Sequence, residues 1–264
     1  MTKTKYLLYA FEVIENTNSL YFYETDKKYF AEKKPPKDIL QENPLKQNGL
    51  DKSKIIQNPW LKWKTDNIQE IVTKDGVCIN YLKSSDNDYI VIKEDLKLLE
   101  TYTYLVENYD ISHTLDFEMI KKWHIMIFDT IYPFAGELRT VNMSKGKGEQ
   151  IWEWRLDFLR GVPGFDKLLK KVSSKEYDDI DSISSDLSVL LSDFLFIHPF
   201  REGNGRLSRL ICDIILAKNG FPMIGLNLKK SDNYIQRVHE GYECNYEPMK
   251  ELLQMKIEEE LESN

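Results

Sequence analysis

The sequence predicts a mainly helical fold: a helical bundle with a β-hairpin flap, preceded by a small mixed α/β N-terminal region. Three observations carry that expectation. From Glu94 onward, apolar residues recur at three- and four-residue steps, the period of a helix with one face in a core. One stretch from Pro133, "PFAGELRTVNMSKGKGEQIWEW", interrupts that period with turn residues and short alternating pieces. Before residue 90 the chain carries aromatic-rich runs between breakers, a pattern of short strands. The chain is accordingly divided into residues 1–90, a mixed region of unknown role, and residues 91–264, a helical domain.

Taken in order, "YLLYAFEV" and "SLYFYE" read as strands, and "KKPPKD" breaks the chain after them. "VCINYL" and "DYIVIK" read as further short apolar pieces, with "KSSDND" as the turn between them. Leu96, Leu99, Tyr102, Leu105 and Val106 mark the first bundle helix. "LDFEMIKKWHIMIFDTIY" is the second, with Phe117, Ile120, Trp123, His124, Ile127 and Ile131 on one broad face. "PFAG" then turns the chain, and "LRTVNMS" followed by Gly146 and Gly148 reads as a hairpin. Helices resume at "RLDFLRGV", "GFDKLLKKV" and "ISSDLSVLLSDFLFI". The next carries the stripe Leu207, Leu210, Ile211, Ile214 and Ile215, and Gly220 is placed to end it in a left-handed conformation. A last helix starts at Pro248, where a first-turn proline costs no hydrogen bond.

Composition excludes several classes. Acids outnumber bases 43 to 36, which argues against a general nucleic-acid surface. No run approaches eighteen apolar residues, so no membrane span is expected. Three cysteines far apart in sequence suggest a reducing, cytoplasmic setting and no disulfide framework.

The chemistry concentrates in "HPFREGNGRLSR", residues 198–209, directly after the apolar run "LSVLLSDFLFI". Gly203 and Gly205 around Asn204 free the backbone to converge N–H groups on an anion, and the helix that follows adds its unpaired first-turn donors. Arg206 and Arg209, three apart, share one helical face, and two rigid guanidinium forks imply more than one phosphate. Glu202 would repel phosphates unless a cation lay between them; Mg²⁺, a hard ion held by one carboxylate plus phosphate oxygens and water, is the natural candidate. An unperturbed imidazole can accept a proton near neutrality, so His198 can act as a base at the edge of this anion site. The phosphate loop G-x-x-x-x-G-K-[ST] is absent from this segment.

These residues resemble the Fic (filamentation induced by cAMP) family, whose motif His-x-Phe-x-(Asp or Glu)-Gly-Asn-Gly-Arg-x-x-Arg is met throughout residues 198–209. "IYPFAGELRTVNMSKG", residues 131–146, is similar to that family's turn, arginine and target-docking flap. The likeness covers roughly residues 95–255 and leaves residues 1–90 unexplained. It implies a Fic-type bundle with a β-hairpin flap, and transfer of AMP from ATP to a Ser, Thr or Tyr hydroxyl of a target protein, with release of pyrophosphate. His198 would be the base and Glu202 would hold Mg²⁺. Gly203, Asn204 and Gly205 would form the anion hole, and Arg206 and Arg209 would clamp the phosphate tail. The flap, Arg139, Thr140, Val141, Asn142 and Met143, would pair with an extended target segment; Arg139 would bind near the flap base or brace it.

Residues 233–249, similar to the nucleoside-side wall, depart from the family's usual small-residue and Gly-Asp pattern, which leaves base specificity open; Tyr234 or Tyr242 could stack on a purine. Relatives carry an inhibitory (Ser or Thr)-x-x-x-Glu-(Gly or Asn) helix. Glu107 of "TYLVEN" and Glu15 of "FEVIEN" are the two candidates here, with a separate inhibitory partner, a homodimer or no such control as the alternatives. Neither nucleic acid nor membrane is expected as a partner. The competing readings are a catalytically silent nucleotide-binding module, a different donor nucleotide, and removal of AMP.

Overall fold

The computed structural model describes residues 21–24, 27–30, 61–62, 69, 72–73, 76–108, 110, 113–145, 150–151, 155–228 and 233–263. Eight helices are described: α1 (Asn87–Asn108), α2 (Phe117–Phe128), α3 (Arg155–Ser174), α4 (Ile180–Ile197), α5 (Asn204–Lys218), α6 (Gly225–Leu228), α7 (Tyr234–Tyr242) and α8 (Glu247–Glu262). Among the described residues, no helix is long and apolar enough to cross a membrane.

Helices α1, α2 and α4 start where a side chain replaces a missing backbone partner. Asp86 Oδ1 accepts from the Asp88 and Tyr89 amides at the head of α1. Asp116 caps α2 through the Met119 amide, and Asp179 caps α4 through the Ser182 amide. "KSSDND" is therefore a cap rather than a strand-to-strand turn, and "DYIVIK" forms the first turns of α1, which runs across residue 90.

Helix α4 is the axis of the bundle, packed by α3, α5, α7 and α8. Its inward positions Ile183, Leu187, Leu190, Leu191 and Phe194 are at most 1% exposed. Burying such side chains stabilises by about 1.5–3 kcal/mol each, which is why this apolar segment takes the middle. Small residues let α7 approach α4: a Cβ at Gly241 would lie 2.3 Å from Ser192 Oγ. The expected face of α2 and stripe of α5 are buried as the periodicity required.

The expected fold class needs correction in its β elements. Strands among the described residues occur only in three separate two-stranded ladders: Tyr21–Glu24 with Lys27–Phe30, Leu61–Lys62 with Val72–Thr73, and Ser144–Lys145 with Gln150–Ile151. The last two have two residues per strand, too few to form a layer. No mixed α/β unit precedes the bundle among the described residues; "YLLYAFEV" lies outside them. Nor are Arg139 to Met143 a hairpin flap.

The physical reason is that both edges of this segment are already used. Arg139 N–H donates to the Pro199 carbonyl (2.8 Å), beside a single bridge from Leu138 to Phe200. On the opposite edge, the Leu138 carbonyl and the Thr140 amide are bonded to the Gln69 side chain. The Arg139 side chain, 1% exposed, turns into the core instead of alternating outward.

Candidate active site

Residues 198–209 form a loop and helix start at one wall of a cavity of about 460 Å³. Helix α4 ends at His198, which adopts a left-handed conformation (φ 48°, ψ 59°), unusual for a non-glycine residue. Arg139 holds that bend. Its Nε donates to the His198 carbonyl (2.7 Å), Nη2 to the Ile197 carbonyl (3.2 Å) and Nη1 to the Val141 carbonyl (2.8 Å). The buried cation thereby meets the negative end of α4, the favourable sign for a helix C-terminus. Arg139 is a brace, one of the two roles the sequence left open.

The His198 ring lines the cavity, and its Nδ1 lies 3.0 Å from the Leu195 carbonyl. A carbonyl can only accept, so Nδ1 carries the hydrogen and the lone pair of the neutral ring is on Nε2.

The loop beyond it is built around Asn204, 2% exposed. Its Oδ1 accepts from the Phe200 amide (2.9 Å) and its Nδ2 donates to the Phe200 carbonyl (2.8 Å). The Asn204 side chain thus closes the loop, and the residue also lines the cavity. Gly203 is required at the loop's tightest point: φ is +81°, and a Cβ would lie 2.2 Å from Phe128 Cε2. Helix α5 starts here without a side-chain cap, so its first-turn amides border the cavity. Glu202 lines it too, with Oε1 accepting from the Gly203 amide (3.1 Å).

The two motif arginines are not equivalent. Arg206 Nη2 is 2.6 Å from Glu94 Oε2 and its Nε is 3.4 Å from Asp95 Oδ1. The Tyr132 hydroxyl donates to the other Glu94 oxygen (2.7 Å). Burial raises the Glu94 carboxyl above its ordinary pKa, against the pull of Arg206. Arg209, buried beside Gly205, lines the cavity. Farther along α5, Asp213 accepts from the Ile224 and Gly225 amides and from the Tyr102 hydroxyl, tying α6 and α1 to the same helix.

Behind the loop, His124 is fully buried. Its Nδ1 accepts from the Gly136 amide (2.8 Å) and Nε2 donates to the Glu202 carbonyl (3.1 Å). This double use needs the neutral ring, and burial pushes its pKa down to about 4.

The cavity thus gathers His198, Glu202, Gly203, Asn204, Gly205, Arg206 and Arg209, with Met143 from the expected flap. Arg139 is walled off beneath them, and Thr140, Val141 and Asn142 do not line it. Tyr234 and Tyr242 both belong to the opposite wall, on α7. Glu107 is exposed near the end of α1, thirteen residues and so about 20 Å along the helix from Glu94. Glu15 lies outside the described residues.

Sequence reading missed Glu94, Asp95, Tyr132, His124 and Gln69. Glu94 had a signal: it stands four residues from both Ile90 and Leu98 on the buried stripe, where an acid is costly without a partner.

Residues 114–216 match the model of the Fic/DOC family. A protein adenylyltransferase, fic-1 of Caenorhabditis briggsae, is 26% identical over 129 residues, covering 48% of this chain and 24% of that protein. The chain thus spans about a quarter of that relative's length. The N-terminal FIC domain of a VirB-translocated effector from Bartonella sp. 1-1C superposes with a TM-score of 0.59 at 14% identity, covering 69% of this chain and 91% of that one. BepC from Bartonella tribocorum, solved with bound AMPPNP, gives 0.55 at 15% identity, covering 68% and 91%.

Proposed function

Starting from the match of residues 114–216 to the Fic/DOC family model, we propose that the chain is a protein adenylyltransferase that moves AMP from ATP to a Ser, Thr or Tyr hydroxyl of a target protein. The observation that supports this reading is an imidazole and an uncapped helix start lining one cavity. The His198 tautomer is fixed by the Leu195 carbonyl, and the uncapped start of α5 lies alongside.

In the proposed reaction the target hydroxyl gives its proton to His198 Nε2. Its oxygen bonds to the α-phosphorus, the bond from that phosphorus to the β-phosphate bridging oxygen breaks, and pyrophosphate leaves with the electron pair. The amides of Asn204 and Gly205 would receive phosphate oxygens, placed before the charge develops. Arg206 is already paired with Glu94 and Asp95, so of the two arginines expected to clamp the tail, Arg209 would carry that role. Among the described residues no group of three or more His, Cys, Asp or Glu could hold a metal by itself. Glu94, the other carboxylate lining the cavity, is taken up by Arg206, so Glu202 is the carboxylate that fits Mg²⁺ arriving on the nucleotide, and the ion would neutralise phosphate charge when bound. The nucleoside would lie against Ile235, Val238 and Tyr242 of α7.

The test is incubation with ATP labelled at either the α- or the γ-phosphate. α-Label carried covalently to protein, γ-label absent, and loss of transfer in His198→Ala are the expected results. γ-Label on protein, or α-label that survives His198→Ala, would overturn the assignment. Nucleotide binding with no transfer to any protein would favour the silent module.

A further inference from the structure

We infer that Gln69, which precedes the bundle in sequence, is a positioning residue for His198. The inference rests on the reading of His198 as the base. Gln69 is 1% exposed and holds three backbone or side-chain groups of two distant segments. Its Nε2 donates to the Leu138 carbonyl (3.0 Å) and its Oε1 accepts from the Thr140 amide (2.7 Å), as a neighbouring strand would. Its own carbonyl accepts from Arg201 Nε (2.8 Å).

Those contacts grip the motif on both sides of the imidazole. Between Leu138 and Thr140 stands Arg139, whose side chain holds the Ile197 and His198 carbonyls and whose amide holds Pro199. Arg201 lies three residues beyond His198 in the loop. The left-handed bend at His198 is therefore fixed from one end by Arg139, which Gln69 sets in place, and from the other by Arg201, which Gln69 anchors directly. The carboxamide suits this task because one planar group offers a donor and an acceptor side by side. Residue 69 lies outside the 114–216 match, so the resemblance does not supply this part of the site.

Gln69→Ala removes both side-chain bonds. Gln69→Glu keeps the shape and the acceptor for Thr140 but turns a carboxylate oxygen toward the Leu138 carbonyl. Both variants are expected to lose kcat for AMP transfer by about tenfold or more, with KM for ATP within about twofold, because geometry rather than nucleotide binding is disturbed. Gln69→Glu should recover relative to wild type as pH falls, since a protonated carboxyl restores the donor. A second readout needs no turnover. The chain has four histidines, so the His198 ring resonance can be identified with His198→Ala. Gln69→Ala should shift it while leaving that of exposed His113 in place. Unchanged kcat in a folded variant, or an unmoved His198 resonance, would overturn the inference. If the wild-type chain transfers no AMP, the proposed function fails and the resonance alone decides the role of Gln69. If the alanine variant does not fold, Gln69→Glu provides both readouts.

Discussion

Replacing Gly203 with alanine tests the geometry of the loop at its tightest point. Two costs add. The backbone at φ +81° favours glycine, and a side chain there costs about 1–2 kcal/mol. The new methyl would lie 2.2 Å and 2.4 Å from Phe128 Cε2 and Cζ, where carbon atoms ordinarily stay about 3.5–4.0 Å apart. Phe128 is fully buried, packed on His124 with ring centroids 4.7 Å apart and lying beneath the Arg206 guanidinium, so it cannot swing aside freely. Overpacking of this kind costs about 1–3 kcal/mol. Gly203→Ala should thus destabilise by about 2–5 kcal/mol, read as a lowered urea midpoint at unchanged slope. The steric part should vanish when Phe128 is also replaced by alanine. Phe128→Ala alone costs about 3–5 kcal/mol for its cavity, and the double variant should be more stable than the sum of both losses by about 1–3 kcal/mol. A single variant within about 0.5 kcal/mol of wild type, or strictly additive losses, would refute the packing argument.

Two further outcomes follow from the buried polar groups. Glu94→Gln keeps an acceptor for Tyr132 and Arg206 but removes a charge from a pair that is 4% and 14% exposed; with Asp95 still present, the loss should be about 1–3 kcal/mol, and no loss by urea unfolding would mean the pair is not formed. For His124 the sign is set by a folded pKa depressed from 6.5 to about 4. The unfolded chain binds a proton in that interval and the folded chain does not, so this contribution is complete above about pH 6.5 and is lost as pH falls through about 4. It amounts to ~3 kcal/mol at about 1.4 kcal/mol per pH unit. Asp213, raised from 3.8 to about 6 by burial, acts with the opposite sign in part of that window. The difference between wild type and His124→Asn isolates the histidine: the variant should lose less stability between pH 6.5 and 4, and parallel profiles would contradict the assignment.

Local patterns were legible, and long-range partnerships were not. The buried stripe Leu207, Leu210, Ile211, Ile214 and Ile215 follows from helical spacing alone. So does the turn at Gly220, with φ +78° and its amide bonded to the Ala217 carbonyl. The loop of residues 198–209 was legible because its glycines, histidine and arginines, which line one cavity, fall within twelve positions. The loop-closing task of the Asn204 side chain was not legible, because a loop-closing amide and a ligand-facing amide have the same letter. "LRTVNMS" alternates like a strand, yet what decides its fate is Gln69, some seventy residues earlier, together with the carbonyls at the end of α4. Glu94 meets Arg206 across 112 positions, where sequence spacing carries no information about contact.

The most direct measurement is a crystal structure with Mg²⁺ and a non-hydrolysable ATP analogue. The polyphosphate oxygens should lie within hydrogen-bonding reach of the Asn204 and Gly205 amides, with the α-phosphorus on the Nε2 side of His198. A tail bound away from the start of α5, or an imidazole with Nε2 turned into the core, would contradict the account.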